Sequence, residues 1–129
     1  MKIKNITVIG AGTMGNGIAH VFAQYGYNVT LNDITKELIE RGLKTIASNL
    51  DRQIKKGVLT EEQKTRILGN ISTSGLLSEA VRSADLVIEA ATENKKIKLD
   101  ILGRLLLLHP LLRYLLRIPH QFQLQRLLQ

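Results

Sequence analysis

The spacing of apolar residues predicts strands that alternate with helices along most of the chain. Residues 3–9 alternate and then become β-branched, which predicts a buried strand. The stretch YNVTLND at 27–33 predicts a second strand, NISTS at 70–74 a third, and ADLVIEA at 84–90 a fourth. Strands joined by right-handed helical crossovers form a doubly wound parallel sheet, so the predicted fold class is α/β, of the Rossmann type.

Apolar residues at helical spacing indicate the helices between these strands, and capping residues indicate their ends. The first helix is expected to end at Gly26 in a left-handed cap, and the second to stop at Gly57. Thr60 and Gln63 have the spacing of a capping box for a short third helix, and a further helix is expected from about Glu93. The apolar face of the first helix comprises Met14, Ile18, Val21, Phe22 and Tyr25, and that of the second comprises Ile39, Leu43, Ile46, Leu50 and Ile54.

A glycine turn, GAGTMG at 10–15, separates the first strand from the first helix. Gly10, Gly12 and Gly15 fit the pattern G-x-G-x-x-G, which provides a tight turn, close backbone approach to a pyrophosphate, and close packing of helix on strand. The exposed amides and the dipole of the helix then hold phosphate groups. Such turns are common, so the glycine pattern alone is weak evidence for a dinucleotide site. The strand before it, the helix after it and an acidic residue further on strengthen that prediction.

That acidic residue is Asp33, which lies 18 residues beyond Gly15 at the end of the second predicted strand. A carboxylate there accepts hydrogen bonds from the adenosine ribose hydroxyls and repels a 2′-phosphate, which favours NAD over NADP. The alternative is that Asp33 caps the next helix, although Thr35 is an equally good cap. His20 is expected to be a packed or surface histidine and not a catalytic base. Glu89, at the end of the fourth predicted strand, is expected to be a carboxylate that faces water unless it has a functional role.

Composition narrows the function classes and divides the chain. The formal charge is +7, but the acidic residues are mixed among the basic ones up to Asp100, which argues against a nucleic-acid partner. There is no cysteine, and no apolar stretch is long enough to cross a membrane; no metal-ligand set can be assembled. The last 29 residues contain twelve leucines, four arginines and no acidic residue, so the predicted domain is 1–101 and the anomalous tail 102–129.

Three stretches together resemble the NAD-binding domain of 3-hydroxyacyl-CoA dehydrogenases, particularly the bacterial 3-hydroxybutyryl-CoA dehydrogenases. They are VIGAGTMGNGIAHVFAQYGYNVTLNDI, NLDRQIKKGVLTEEQ and ADLVIEAATENKKIK, and the resemblance covers about residues 1–101. It implies cytoplasmic enzymes of fatty-acid or butyrate metabolism that move a hydride between C3 of the acyl-CoA and NAD. It also implies roles for particular residues. The pyrophosphate would lie at Gly10, Ala11, Gly12, Thr13, Met14 and Gly15, the adenosine ribose at Asp33, the rest of the cofactor at Ala90, Ala91, Glu93 and Lys98, and CoA at Asn49 and Lys56.

The tail departs from the family pattern. Family members continue with a strand, an Asn-Thr-Ser-Ser turn whose first serine is part of the active site, and later a catalytic histidine and a helical domain that forms the dimer. Codons permitted for residues 112–129, read two nucleotides further on, encode TILASNTSSVSITEIAS, which matches that strand and turn. We therefore expect the tail to be translated out of frame; residues 105–111 do not fit the shifted reading, so the sequence leaves the position of the frame break open. An intact tail with different codons in the DNA would disprove this expectation.

Several readings of function follow from this sequence. The leading one is descent from an NAD-dependent dehydrogenase, in a chain that lacks catalytic residues and is itself inactive, with a sheet left incomplete beyond its fourth strand. A second reading is a module that binds NAD without chemistry, and a third is a related 3-hydroxyacid dehydrogenase. For the tail, the alternatives are a genuine last helix, a partner-binding segment, or a basic segment that touches a membrane.

Overall fold

Five parallel strands form one sheet in the computed structural model, which describes residues 3–90 and the backbone of residues 114–117. The strand order is β3-β2-β1-β4-β5, and every neighbouring pair is parallel. The strands are β1 Asn5–Ile9, β2 Asn28–Asn32, β3 Ile71–Ser74, β4 Leu86–Glu89 and β5 Tyr114–Arg117. The helices are α1 Thr13–Gln24, α2 Lys36–Lys55, α3 Glu61–Gly69 and α4 Leu77–Val81.

The predicted α/β class and its four strands are confirmed. Strand order runs from β1 outward in both directions, so the connections that leave β1 and β4 diverge at the centre of the sheet. In open parallel sheets this reversal leaves a crevice at the carboxyl ends of the strands, where ligands bind. The carboxyl ends of β1 and β4 are in register at Ile9 and Glu89, which places the glycine turn at that crevice.

A fifth strand, in addition to the four that were predicted, continues the sheet past β4. The backbone of residues 114–117 pairs in parallel with β4, from Leu86 with Tyr114 to Glu89 with Arg117. This pairing uses backbone N–H and C=O groups, so it makes little demand on the side chains of the added strand. Sequence analysis did not predict this strand, because YLLR neither alternates nor contains a β-branched residue. The proposed boundary near residue 102 stays a prediction.

Helices α1 to α3 follow the predicted pattern, with one exception. Gly26 has φ +93° and Gly57 φ +76°, as expected of left-handed caps. The capping box of α3 is present: the Thr60 N–H donates to Gln63 Oε1 at 2.9 Å, and the Gln63 N–H donates to Thr60 Oγ1 at 3.2 Å. Tyr25, expected on the inner face of α1, is instead 79 % exposed because α1 ends at Gln24.

The two faces of the sheet pack against different elements, because successive strand residues point to opposite sides. Ile6 and Val8 belong to the larger core, which packs beneath α1, α2 and α3. Ile9 and Val87 belong to a smaller core that includes Val81 of α4. The Thr7 hydroxyl on that second face donates to the carbonyl oxygen of Ala80 and so attaches α4 to the sheet. Helix α4 was not predicted, since its five residues are too few for a periodic signal.

Helix α2 is joined to α3 near its carboxyl end. The Lys64 ammonium of α3 donates to Asp51 Oδ1 of α2 at 2.7 Å, and this hydrogen bond raises the pKa of Lys64 above its ordinary value.

Near its amino end, α2 packs closely on the glycine turn at Gly42. A Cβ added to Gly42 would lie 2.8 Å from the Ala11 carbonyl oxygen and 3.1 Å from the Ala11 Cβ. The glycine therefore sets how near α2 comes to the turn.

Gly42→Ala is expected to destabilise the chain by about 1–3 kcal/mol, since the new methyl group meets backbone that cannot move aside. Helix propensity alone would favour alanine by about 1 kcal/mol, so the two effects have opposite signs. Gly69→Ala is the matched control, because a Cβ at Gly69 in α3 meets nothing within 4 Å. Urea unfolding measures both variants. A Gly42→Ala chain as stable as the Gly69→Ala chain would show that α2 does not press on Ala11.

Candidate functional site

Three segments that the sequence singled out meet at the carboxyl edge of the sheet. The Gly10 N–H donates to the Asn32 carbonyl oxygen at 2.8 Å, and the Ala90 N–H donates to the Ile9 carbonyl oxygen at 2.8 Å. These bonds continue the β1 ladders past the ends of the strands. The glycine turn, the residue after β2 and the residue after β4 are therefore neighbours, as the site prediction required.

The third glycine brings α1 against the turn. A Cβ on Gly15 would lie 1.6 Å from the Gly10 carbonyl oxygen, a distance that no rearrangement of a flexible side chain could relieve. Gly10 itself has φ +103°. The first turn of α1 therefore lies directly on the backbone of the glycine turn, which agrees with the packing role expected of the third glycine.

Unused amides are concentrated where α1 begins. Within residues 3–90, no hydrogen bond involves the backbone N–H groups of residues 12–15, and the first helical bond runs from the Asn16 N–H to the Gly12 carbonyl oxygen at 2.9 Å. Gly12 and Thr13 are exposed, and a Cβ on Gly12 would meet nothing within 4 Å. The first turn of α1 contains no acidic residue. Free N–H groups at the positive end of a helix fit a phosphate group.

Asp33 connects the second strand to the turn. Its Oδ2 accepts from the Ala11 N–H at 2.8 Å, and its Oδ1 accepts from the Ile34 N–H at 2.7 Å. A carboxylate offers about four acceptor positions, so each oxygen keeps one for a hydroxyl group. The alternative role as a helix cap is wrong, because the Thr35 hydroxyl caps α2 by accepting from the Leu38 N–H at 3.2 Å.

Sequence reasoning missed two residues beside this site. Ile34, the residue after Asp33, is 87 % exposed and places an apolar side chain at the edge of the crevice. Asn16 is buried, and its side-chain amide donates to the Gly12 carbonyl oxygen at 2.8 Å. The sequence contained a signal for each. Ile34 is an apolar residue directly after the acid Asp33, and Asn16 is a polar residue four positions after Gly12.

A groove of about 400 Å³ lies between α1 and α2 and starts at the glycine turn. Asn49 and Lys56, which the resemblance assigned to CoA, both line it, together with Arg52. His20 lies in its wall, buried as expected of a packed histidine. Its Nε2 is 3.0 Å from Gln24 Oε1 of α1 and 3.2 Å from Gln53 Oε1 of α2. This side of the domain therefore combines basic and amide groups in one concave surface.

The remaining candidates have mixed outcomes. Glu89 is 2 % exposed, so the reading of a carboxylate facing water is wrong: β4 is covered on both faces at its end. Ala90 is half-buried at the crevice, whereas Ala91, Glu93 and Lys98 lie outside the described residues. Residues 3–90 contain no group of three or more side chains suited to a metal ion. Nor does this part of the chain include a helix long and apolar enough to span a bilayer.

The strand order, the glycine turn with its free amides and the acid after β2 define a dinucleotide-binding domain of the Rossmann type. The family model for the NAD-binding domain of 3-hydroxyacyl-CoA dehydrogenase matches residues 5–110, and the chain belongs to this family. The family consists of NAD-dependent oxidoreductases, as the sequence predicted.

Individual relatives agree with the family model. A 3-hydroxybutyryl-CoA dehydrogenase of Bradyrhizobium diazoefficiens is 47 % identical over 103 residues, which cover 80 % of this chain and 35 % of the relative. A mitochondrial hydroxyacyl-coenzyme A dehydrogenase of Rattus norvegicus is 41 % identical over 109 residues, covering 80 % of this chain and 34 % of the relative. The crystal structure of an (S)-3-hydroxybutyryl-CoA dehydrogenase from Ralstonia eutropha superposes with a TM-score of 0.78 at 45 % identity, covering 80 % of this chain and 36 % of that one. The chain thus spans about a third of the length of these relatives.

Proposed function

We propose that the carboxyl edge of the sheet binds NAD, with the pyrophosphate on residues 10–15. The observation that carries this proposal is the group of unused N–H donors at residues 12–15, next to a carboxylate that keeps free acceptor positions. The Gly12 backbone lies open where a Cβ would hinder close approach of the phosphates. When bound, NAD supplies the hydride acceptor of the reaction, and this part of the chain binds and orients it.

Asp33 and Ile34 would hold the adenosine half of NAD. The two carboxylate oxygens of Asp33 are fixed by backbone donors, and their free acceptor positions suit the two ribose hydroxyls. A 2′-phosphate would place negative charge beside that carboxylate, so NADP is disfavoured. The exposed Ile34 side chain provides an apolar surface for the adenine ring. By the family resemblance, Ala90 and Ala91 would lie along the cofactor, and Glu93 and Lys98 near the nicotinamide.

The activity to which this domain contributes is, we propose, oxidation of a 3-hydroxyacyl-CoA or reduction of the corresponding ketone. The names of the relatives support this reaction, and the α1–α2 groove supports a CoA site. Lys56 and Arg52 line that groove one helical turn apart, and Asn49 lines it closer to the glycine turn. Two cations and an amide in one groove suit a phosphate-rich ligand. A cytoplasmic location, dimerisation, and a role in fatty-acid or butyrate metabolism stay predictions.

The 129-residue chain is expected to bind NAD more tightly than NADP, and Asp33→Ala is expected to weaken NAD binding about 10–100-fold. The reason is the loss of charge-assisted hydrogen bonds to the ribose and of the acceptor that holds the Ala11 N–H. Titration calorimetry measures each affinity.

The same preparation is expected to show no reduction of acetoacetyl-CoA by NADH, since it has no family catalytic serine or histidine.

Asp51→Ala is the matched control for that experiment. It removes the same charge from the chain, but its carboxylate joins α2 to α3 and does not line the groove. NAD binding that is equally weak in the Asp33→Ala and Asp51→Ala variants would contradict the assignment of Asp33. Turnover above background by the purified chain would contradict the expectation of inactivity.

Lys56→Ala is expected to weaken binding of CoA or adenosine 3′,5′-bisphosphate about three- to tenfold at low ionic strength, because a surface cation that meets a phosphate contributes roughly 1 kcal/mol. Lys55→Ala is the control: Lys55 is its neighbour and carries the same charge, but it does not line the groove. Fluorescence-detected titration at two salt concentrations measures both. Equal losses in the two variants would indicate a non-specific attraction to the basic helix end instead of a site in the groove.

A further inference from the structure

Asn16 is a buried polar residue in the first turn of α1, and it lies between the glycine turn and the α1–α2 groove. Its Nδ2 donates to the Gly12 carbonyl oxygen at 2.8 Å and lies 3.4 Å from the Ala11 carbonyl oxygen. Its backbone N–H also donates to the Gly12 carbonyl oxygen, at 2.9 Å. One residue thus holds the carbonyl groups of two successive peptides of the turn.

The orientation of those carbonyls decides where two N–H groups point. In a planar trans peptide the C=O and N–H bonds point in opposite directions, and the described chain has no cis peptide. The Ala11 carbonyl shares its peptide with the Gly12 N–H, and the Gly12 carbonyl shares its peptide with the Thr13 N–H. Because Asn16 holds both carbonyls toward α1, the N–H groups of Gly12 and Thr13 face away from it, toward the open side of the turn.

Contacts from Asp33 and α2 also hold the first of these peptides, whereas Asn16 holds the second through both its side-chain amide and its backbone N–H. The Ala11 N–H is held by Asp33 Oδ2 at 2.8 Å, and its carbonyl oxygen packs under Gly42 of α2. For the Gly12 carbonyl, the side-chain donor within residues 3–90 is Asn16. The Asn16 backbone N–H donates to the same carbonyl, so the side-chain amide is a second restraint on this peptide. Gly12 is exposed and has no Cβ to restrict its rotation, and that second restraint limits the rotation.

We propose that Asn16 is a positioning residue that aims the Gly12 and Thr13 amides at the pyrophosphate of NAD. The proposal rests on the proposed NAD site. Asn16 acts through the backbone. It orients the two amides before NAD binds, so that less binding free energy is lost in ordering the turn.

Asn16→Ala and Asn16→Ser test this role as a matched pair. A serine within a helix donates its hydroxyl to the carbonyl four residues earlier, which here is that of Gly12. Thr45 and Thr65 already make this bond in α2 and α3, to Arg41 at 3.0 Å and to Glu61 at 3.2 Å. We expect Asn16→Ala to raise the Kd for NAD about tenfold and Asn16→Ser to remain within about threefold of the original chain.

Amide resonances of the ¹⁵N-labelled chain separate positioning from general stability. In the ligand-free chain, the Gly12 and Thr13 signals are expected to keep their positions in Asn16→Ser and to shift or broaden in Asn16→Ala, with hydrogen-exchange protection of β1 and β2 unchanged. If the alanine variant does not fold, Asn16→Leu replaces it, since an apolar side chain of similar size cannot donate and adds no charge beside the pyrophosphate. Its NAD affinity is then expected to be about tenfold lower than that of the original chain.

Two results would overturn the role of Asn16: unchanged Gly12 and Thr13 signals in the non-donating variant, or a serine variant that loses as much NAD affinity as the non-donating one. Failure of the NAD proposal looks different, because the original chain itself would then not bind NAD. The ligand-free resonances still decide the orienting role in that case, since they depend on the turn alone.

Discussion

The approach of α1 to the turn before it is the constraint on which the rest of the site depends. The helix can lie this close because position 15 has no side chain: a Cβ there would be 1.6 Å from the Gly10 carbonyl oxygen. That closeness places the start of α1, with its unused N–H groups and its dipole, at the carboxyl end of β1. Because β1 is the central strand of the sheet, the start of α1 lies at the crevice between β1 and β4.

Asp33 and α2 also hold the glycine turn, and this links the proposed nucleotide site to α2. Asp33 binds the Ala11 N–H, and Gly42 lets α2 rest on the Ala11 carbonyl. The helix that contacts the turn at Gly42 carries Asn49, Arg52 and Lys56 on the groove a few turns further along. The proposed NAD and CoA sites therefore share a rigid element. A change that moves α2 away from Ala11 alters both the backbone that faces the pyrophosphate and the position of the groove.

The sequence predicted the features that rest on local rules. Strands β1 to β4, the caps at Gly26 and Gly57, and the capping box at Thr60 follow from the residues within a few positions of each. It failed where distant segments decide the outcome. Glu89 is buried although it ends its strand, and residues 114–117 form a strand by pairing with β4; neighbouring residues in the sequence indicate neither. Tyr25 was misassigned because periodicity does not show where α1 ends.

The sequence therefore indicated the proposed nucleotide site more clearly than it indicated the residue that holds the backbone of that site. The proposed pyrophosphate site uses backbone N–H groups, and what the sequence must provide is the absence of side chains at Gly10, Gly12 and Gly15, which leaves a visible pattern. Asn16 supports that backbone with one amide, and a hydroxyl four residues after Gly12 could make the same bond. A role that several residue types can fill leaves no fixed motif. Its recognition required the peptide geometry, in which holding a carbonyl on one side directs an amide to the other.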